Sequence, residues 1–231
     1  MNKLAIIITC SHIPSHPSIE IVKQTIESLD RINIPSNTKI ILAHDYGNTK
    51  SYIDYLYNLQ NYIRDKPNIT IVTMSKKGYL TGNIKNAMQH IDSDYMLIVQ
   101  HDLPFIQDIN ISNIIQDMIN IPEMKHVRFN KRRNTKVGSD ALNDLFGKHM
   151  KGINYTYTRT PSWSDNNHIC KPIYYTDIVF KYGGHKFPEL SLCNKSTTEA
   201  AHSMYGTYLY GPLNHPAVIH HTDGKNYKHI R

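Results

Sequence analysis

Cysteine is scarce in this 231-residue chain: only Cys10, Cys170 and Cys193 occur, an odd number spread far apart. No CxxC spacing joins them, which argues against a disulfide framework and for a reducing compartment. Long apolar runs are missing too. No stretch approaches the ~20 residues of a membrane-spanning helix. The run after Lys3 is too short for a secretory leader and lacks a small-residue cleavage site. The expectation is a cytoplasmic chain with no membrane span. Acidic residues are outnumbered by basic ones, 19 against 26, and the net charge of +7 suits an anionic partner: nucleic acid, a membrane surface or a phosphorylated small molecule. Two glycine signatures are also absent. Without GxGxxG after the first apolar run or GxxxxGK[ST] anywhere, a dinucleotide-binding Rossmann site and a P-loop are both disfavoured.

What is present is enough for a core, with 40% hydrophobic and 19% charged residues. "LAIIIT" reads as a strand covered on both faces, because its apolar run does not alternate. "PSIEIVKQTIESLDRI" follows as a helix with Ile19, Val22, Ile26 and Leu29 on one stripe and Pro17 and Ser18 at its start. "KIILAHD" predicts a second strand, and "SYIDYLYNLQNYI" a helix with Tyr52, Ile53, Leu56, Leu59 and Ile63 inward. "ITIVTM" is a third strand, "TGNIKNAMQHI" a helix with Thr81 as N-cap, and "DYMLIVQ" a fourth strand. This alternation predicts an α/β sheet built from right-handed crossovers.

After Pro104 the rhythm changes. A helix is expected over Ile111 to Ile119, a strand in "KHVRF" and another in "ICKPIYYTDIVF", interrupted by Pro172. "TTEAAHSMYGTYLY" has helical character, and "PAVIHHTDG" ends in a short strand and a turn. Residues 130–160 are polar, basic and without a clear pattern. No repeat or linker divides the chain, so one domain is expected over 1–231: residues 1–105 as a nucleotide-binding half, 106–231 shaping an acceptor pocket.

Ligands of open parallel sheets sit at the carboxyl ends of the strands. Those ends carry Thr9-Cys10-Ser11-His12, His44-Asp45-Tyr46-Gly47-Asn48, Ser75-Lys76-Lys77-Gly78 and Gln100-His101-Asp102. The set suits a nucleotide whose base and ribose lie near strands one and two and whose phosphates reach a metal at strand four. Asp45 either accepts from a base or ribose or makes an Asx-turn before Gly47. Lys76 and Lys77 either meet phosphate or are a solvated pair.

"AHDYGNT" after the second strand and "GNIKNAMQHIDSDYMLIVQHD" leading into the fourth resemble GT-A glycosyltransferases, especially the large family 2 group. In that group the second strand ends in a D-D-G-S-T-like turn, and a Gly/Asn/Ala-bearing helix precedes a strand ending in DxD. Here Asp45 matches the first aspartate and Tyr46 replaces the second; Gln100-His101-Asp102 takes the DxD place without its first aspartate. The resemblance covers residues 1–105. It implies a GT-A fold, mostly parallel and Rossmann-like, and transfer of a sugar from a nucleoside diphosphate, UDP by default, to a glycan or other hydroxyl acceptor, with inversion favoured. Thr9, Ser11, Asp45, Lys77, Asn83, Gln100 and His101 are then the donor contacts.

The resemblance also implies a divalent cation at Asp102 that neutralises the leaving diphosphate. A histidine near the C-terminus often completes such sites. "VIHHTDG" offers His220 and His221, which a strand would point to opposite faces; His220 is preferred. An imidazole ligand favours Mn²⁺ over Mg²⁺. For the base that takes the acceptor proton, Glu199 comes first because Ser196, Thr197 and Thr198 before it resemble a helix start. A capping carboxylate is the plain alternative. Asp165 in "PSWSDNNH" is the runner-up and Asp177 the third acid. Trp163, Asn166 and His168 in or beside that loop are the acceptor candidates, although a lone tryptophan more often packs.

The basic stretch "KHVRFNKRRNTK", ending at Lys136, reads first as a solvated loop, second as a glycan or phosphate contact. Nucleic acid ranks third, since only Phe129 interleaves as an aromatic platform. The rival from another class is a non-catalytic carbohydrate- or nucleotide-binding relative, because QHD is a poor metal site. Richness in Asn, Ile, Lys and Tyr suits an A/T-biased genome such as that of a protist or a large DNA virus; a viral source would place the chain in a host's cytoplasm.

Overall fold

β-branched runs and amphipathic segments alternate along the first hundred residues, and they fold accordingly. In the computed structural model, which describes residues 3–135, 148–193, 195 and 198–222, strands β1 (Leu4–Cys10), β2 (Lys39–His44), β3 (Ile69–Thr73) and β4 (Tyr95–Gln100) alternate with helices α1 (Glu20–Glu27), α2 (Lys50–Tyr62) and α3 (Tyr79–Met88). Helix α4 (Ile111–Asn120) leads to β5 (His126–Arg128), then β6 (His149–Lys151), β7 (Thr156–Arg159) and β8 (His168–Cys170). A continuous helical segment follows, α5 (Pro172–Tyr174), a π-helical turn (Tyr175–Val179) and α6 (Phe180–Tyr182), and then α7 (Pro188–Leu192), α8 (Glu199–Tyr205) and β9 (Thr207–Tyr210).

The nine strands form one sheet in the order β3-β2-β1-β4-β8-β5-β9-β7-β6. The first four are mutually parallel, and only β8 and β7 run against the other strands of this sheet. Register is set along the isoleucine run, with Ile7 beside Ile41 on β2 and beside Ile98 on β4. Both faces of β1 are covered, so it needs no polar residue until its end. Ile6, Ile8, Leu42, Leu97 and Val99 pack with residues of α1, α2 and α4 on one face. Ile7, Ile41, Ala43, Met96 and Ile98 pack with α3, Trp163 and the α5–α6 segment on the other. Among the described residues no helix is long and apolar enough to cross a membrane.

Four local expectations change. Ile53 on α2 is 56% exposed, and Tyr52, Tyr55 and Leu59 form the buried stripe instead. Tyr52 and Tyr55 pack in the core cluster with Ile6, Ile8 and Leu42, and the Tyr52 hydroxyl finds a partner in the Asp45 carbonyl at 2.7 Å. Thr81 lies inside α3, whose N-cap is Gly78, and its hydroxyl donates to the Lys186 carbonyl. Pro172 opens α5 rather than interrupting a strand, because at N1 its missing N–H and fixed φ cost nothing. The C-terminal strand reduces to one bridge, Ile219 with Phe105. The unpatterned 130–160 stretch holds the β6–β7 hairpin.

Candidate functional site

β4 ends at Gln100, and the chain turns through His101 and Asp102. A segment from the far end of the chain lies across this turn. Ile106 N–H donates to the Val218 carbonyl, His220 N–H to Pro104, and Thr222 N–H and hydroxyl to the Asp102 carbonyl. These bonds bring His221 Nε2 to 3.2 Å from Asp102 Oδ2. The Asp102 side chain is 14% exposed, and its other oxygen, Oδ1, is buried with no hydrogen-bond partner. His220 was expected beside Asp102, but in extended chain neighbours face opposite ways, and it is His221 that turns to Asp102. A buried carboxylate oxygen without a donor, next to an imidazole nitrogen, is a donor set that fits a divalent cation. Among the described residues no three His, Cys, Asp or Glu side chains converge on a metal position, so the described residues offer two ligands here.

The other strand-end residues divide. His101 turns away from the cleft: its Nδ1 sits 3.1 Å from the Thr9 carbonyl, and it is buried on the α1 side. Strand alternation explains this, since His101 follows Val99 to one face while Gln100 follows Ile98 to the other. Asp45 accepts from the N–H groups of Tyr46, Gly78 and Tyr79 at 2.8, 2.7 and 3.0 Å, which ties the end of β2 to the start of α3. Three of roughly four acceptor positions are thereby used. Asn83 is buried and donates to the Ala43 and Cys10 carbonyls, so it clamps α3 onto the tips of β2 and β1. Thr9 is buried and donates to Val99. Ser11 and Lys77 are exposed at the strand tips, with Lys77 Nζ 5.0 Å from the Tyr79 ring.

Beside the Asp102 turn lies a cavity of about 280 Å³ whose walls include Gln100, Arg128, Lys131, Asp165, Glu189 and His221. Gln100 Nε2 donates to the Asp165 carbonyl at 2.9 Å and anchors that loop to β4. The Asp165 carboxyl is pushed up to about 7, first by burial and then by the negative charge of Glu189, with Lys131 pulling the other way. Asn166 also lines the cavity. Trp163 and His168 do not. Trp163 is 1% exposed in the core, and His168 is enclosed between Asn166 O at 2.7 Å and the Tyr175 hydroxyl at 3.0 Å. β8 is an interior strand between β4 and β5, which covers His168, and Trp163 packs in the core against the same face of the sheet; neither side chain lines the cavity.

Glu199 is the first residue of α8, with Thr198 as its N-cap. Ser196 and Thr197 lie outside the described residues, as does Lys136. Arg159 at 2.6 Å and Lys148 at 3.0 Å hold the Glu199 carboxyl down to about 2. A carboxylate held that low is a poor proton acceptor, and Glu199 is not among the residues lining the cavity. Asp177 lines a different cavity, at the opposite ends of the strands. Sequence reasoning passed over Glu189, although Pro188 before it marks a helix start, and it set Arg128, Lys131 and Arg132 first as a solvated loop. Arg128 is instead buried in β5, and Lys131 and Arg132 line the cavity.

Neither a protein-family model nor a curated protein matches this sequence. Solved structures do. The mannosyltransferase PcManGT from Pyrobaculum calidifontis, in complex with GDP-Man and Mn²⁺, superposes with a TM-score of 0.60 at 11% identity, over 92% of this chain and 55% of that one. S. aureus TarS gives 0.57 at 12% identity, over 95% of this chain and 36% of that one. TarS 1-349 in complex with UDP-GlcNAc gives 0.53 at 14%, over 94% and 58%. The chain thus spans less than two thirds of each of these relatives. At such identities the likeness speaks to architecture: this chain has the α/β GT-A fold of nucleotide-sugar glycosyltransferases.

Proposed function

We propose that the protein is a metal-assisted glycosyltransferase that moves a sugar from a nucleoside diphosphate sugar, with UDP-sugar favoured, to a glycan or other hydroxyl acceptor with inversion. The observation that carries this reading is the Asp102–His221 pair beside the cavity that holds Asp165. The complexes of similar structures with UDP-GlcNAc and with GDP-Man and Mn²⁺ support it. Residues 1–231 act as one domain, with the donor bound by the first 105 residues and the acceptor by the remainder.

Asp102 and His221 are the residues that would hold the cation. The imidazole favours Mn²⁺ over Mg²⁺. When bound, the cation supplies Lewis-acid stabilisation to the departing diphosphate. Ser11 and Lys77 meet the donor at the exposed strand tips. Asp45 and Asn83 shape the nucleotide half by clamping α3 to the tips of β1 and β2. Gln100 holds the Asp165 loop in place, Asn166 contacts the acceptor, and Asp165 accepts the proton of the attacking hydroxyl. A carboxyl poised near neutral pH suits that role far better than one held near 2.

The test is calorimetric titration of UDP with and without Mn²⁺. Asp102→Asn is expected to abolish the Mn²⁺-dependent part of binding, and binding that survives unchanged sinks the assignment. That the described residues offer two ligands and no third favours a second reading, a non-catalytic nucleotide- or carbohydrate-binding protein. Slow Mn²⁺-dependent hydrolysis of a UDP-sugar separates the two, since a binding protein shows none.

A further inference from the structure

We infer that Glu189 shares a proton with Asp165 and thereby sets the pH above which Asp165 accepts the acceptor's proton. This rests on the transferase reading and adds a positioning residue to it. Both carboxyls line one cavity: Asp165 comes from the loop before β8, and Glu189 from the first turn of α7, directly after Pro188. Both residues are part-buried on the wall of that cavity, and the charge of Glu189 and a hydrogen bond from it push the Asp165 carboxyl up. Two carboxylates so placed do not both ionise readily, and one proton bridging them is the low-energy arrangement.

The other charges facing the pair are cationic or titratable. Arg128 comes from β5, Lys131 and Arg132 from the segment after it, and His221 from the C-terminal segment. Lys131 lowers the proton affinity of Asp165, while the charge and hydrogen bond of Glu189 raise it. The cations keep the pair from being fully protonated at neutral pH, and Glu189 keeps Asp165 from becoming an ordinary, weakly basic carboxylate. In the transfer, the acceptor O–H bond breaks and its oxygen bonds to the anomeric carbon. The bond from that carbon to the diphosphate breaks, and the diphosphate leaves with the electron pair. The proton lands on Asp165, bridges to Glu189 and passes to solvent as the product departs.

The experiment is a carboxyl ¹³C NMR pH titration of the full chain, in which Asp165→Asn identifies the Asp165 signal. The wild type is expected to show one aspartate titrating close to neutrality. Glu189→Gln should lower that midpoint by about one unit or more, a tenfold loss of proton affinity, and Glu189→Asp should restore part of it. A midpoint unmoved by Glu189→Gln, in protein with an unchanged circular dichroism spectrum, overturns the inference; a merely structural glutamate would give that result. Failure of the transferase reading shows elsewhere, as Mn²⁺-dependent UDP binding that persists in Asp102→Asn.

Discussion

Asp102 divides its two oxygens between different tasks: Oδ2 lies 3.2 Å from His221 Nε2, while Oδ1 is buried and unpartnered. An acceptor buried without a donor is costly unless a ligand satisfies it. His221→Ala is therefore expected to weaken Mn²⁺-dependent UDP binding about tenfold, some 1.4 kcal/mol. His220→Ala removes an exposed imidazole that is not paired with Asp102, and the same calorimetry should find it within about twofold of the wild type. The reverse order would return the ligand to His220. The same scale separates the candidate bases. Glu199 and Asp165 are both carboxylic acids in the C-terminal half, but one is pinned by two cations at the surface and the other is enclosed beside another acid.

At the scale of elements, the C-terminal half is held together by polar contacts that leave no periodic trace in sequence. Asp117 on α4 is fully buried and accepts from Asn154 N–H at 3.0 Å, Tyr155 N–H at 3.0 Å and the Tyr157 hydroxyl at 2.8 Å. It thus docks the β6–β7 hairpin onto α4. Gly152 in that hairpin passes so close that a Cβ there would lie 2.5 Å from the Asp117 carboxylate. Asp117→Ala strands several buried donors at once and should cost about 3 kcal/mol, read from urea unfolding; a loss below about 1 kcal/mol would contradict this docking role. By contrast, α2 was legible as a helix but not in its rotation. Ile53 was expected inward and is exposed, while Tyr55, not among the expected inward residues, is buried.

Across the whole molecule, several histidines are buried without charge. Burial and neighbouring positive groups push His44 down to about 3, His168 down to about 4 and His126 well below its ordinary value. The unfolded chain binds protons at these sites below pH ~6.5, whereas in the folded chain His44 and His168 do so only near pH 4 or lower. Stability is therefore present in full above pH 6.5 and is lost as pH falls from 6.5 towards 4. At pH 5 His44 and His168 each remove about 2 kcal/mol. Thermal melts at pH 7.5 and 5 should show a marked drop in Tm, and His126→Gln or His168→Gln should flatten that dependence; an equal Tm at both pH values would contradict it.

The sequence by itself determined the β/α alternation of the first hundred residues and the position of Asp102 at a strand end, because unbroken Ile and Val runs and helical stripes are local properties. It also marked Asp165 as an acid in a polar loop. Only the tertiary structure decided that His221 rather than His220 meets Asp102, that Trp163 and His168 are core, and that Glu189 stands beside Asp165. Each of these depends on which distant segments lie together, as residues 102 and 221 do. A side chain's burial and charge state are set by neighbours that pattern along the chain does not reveal.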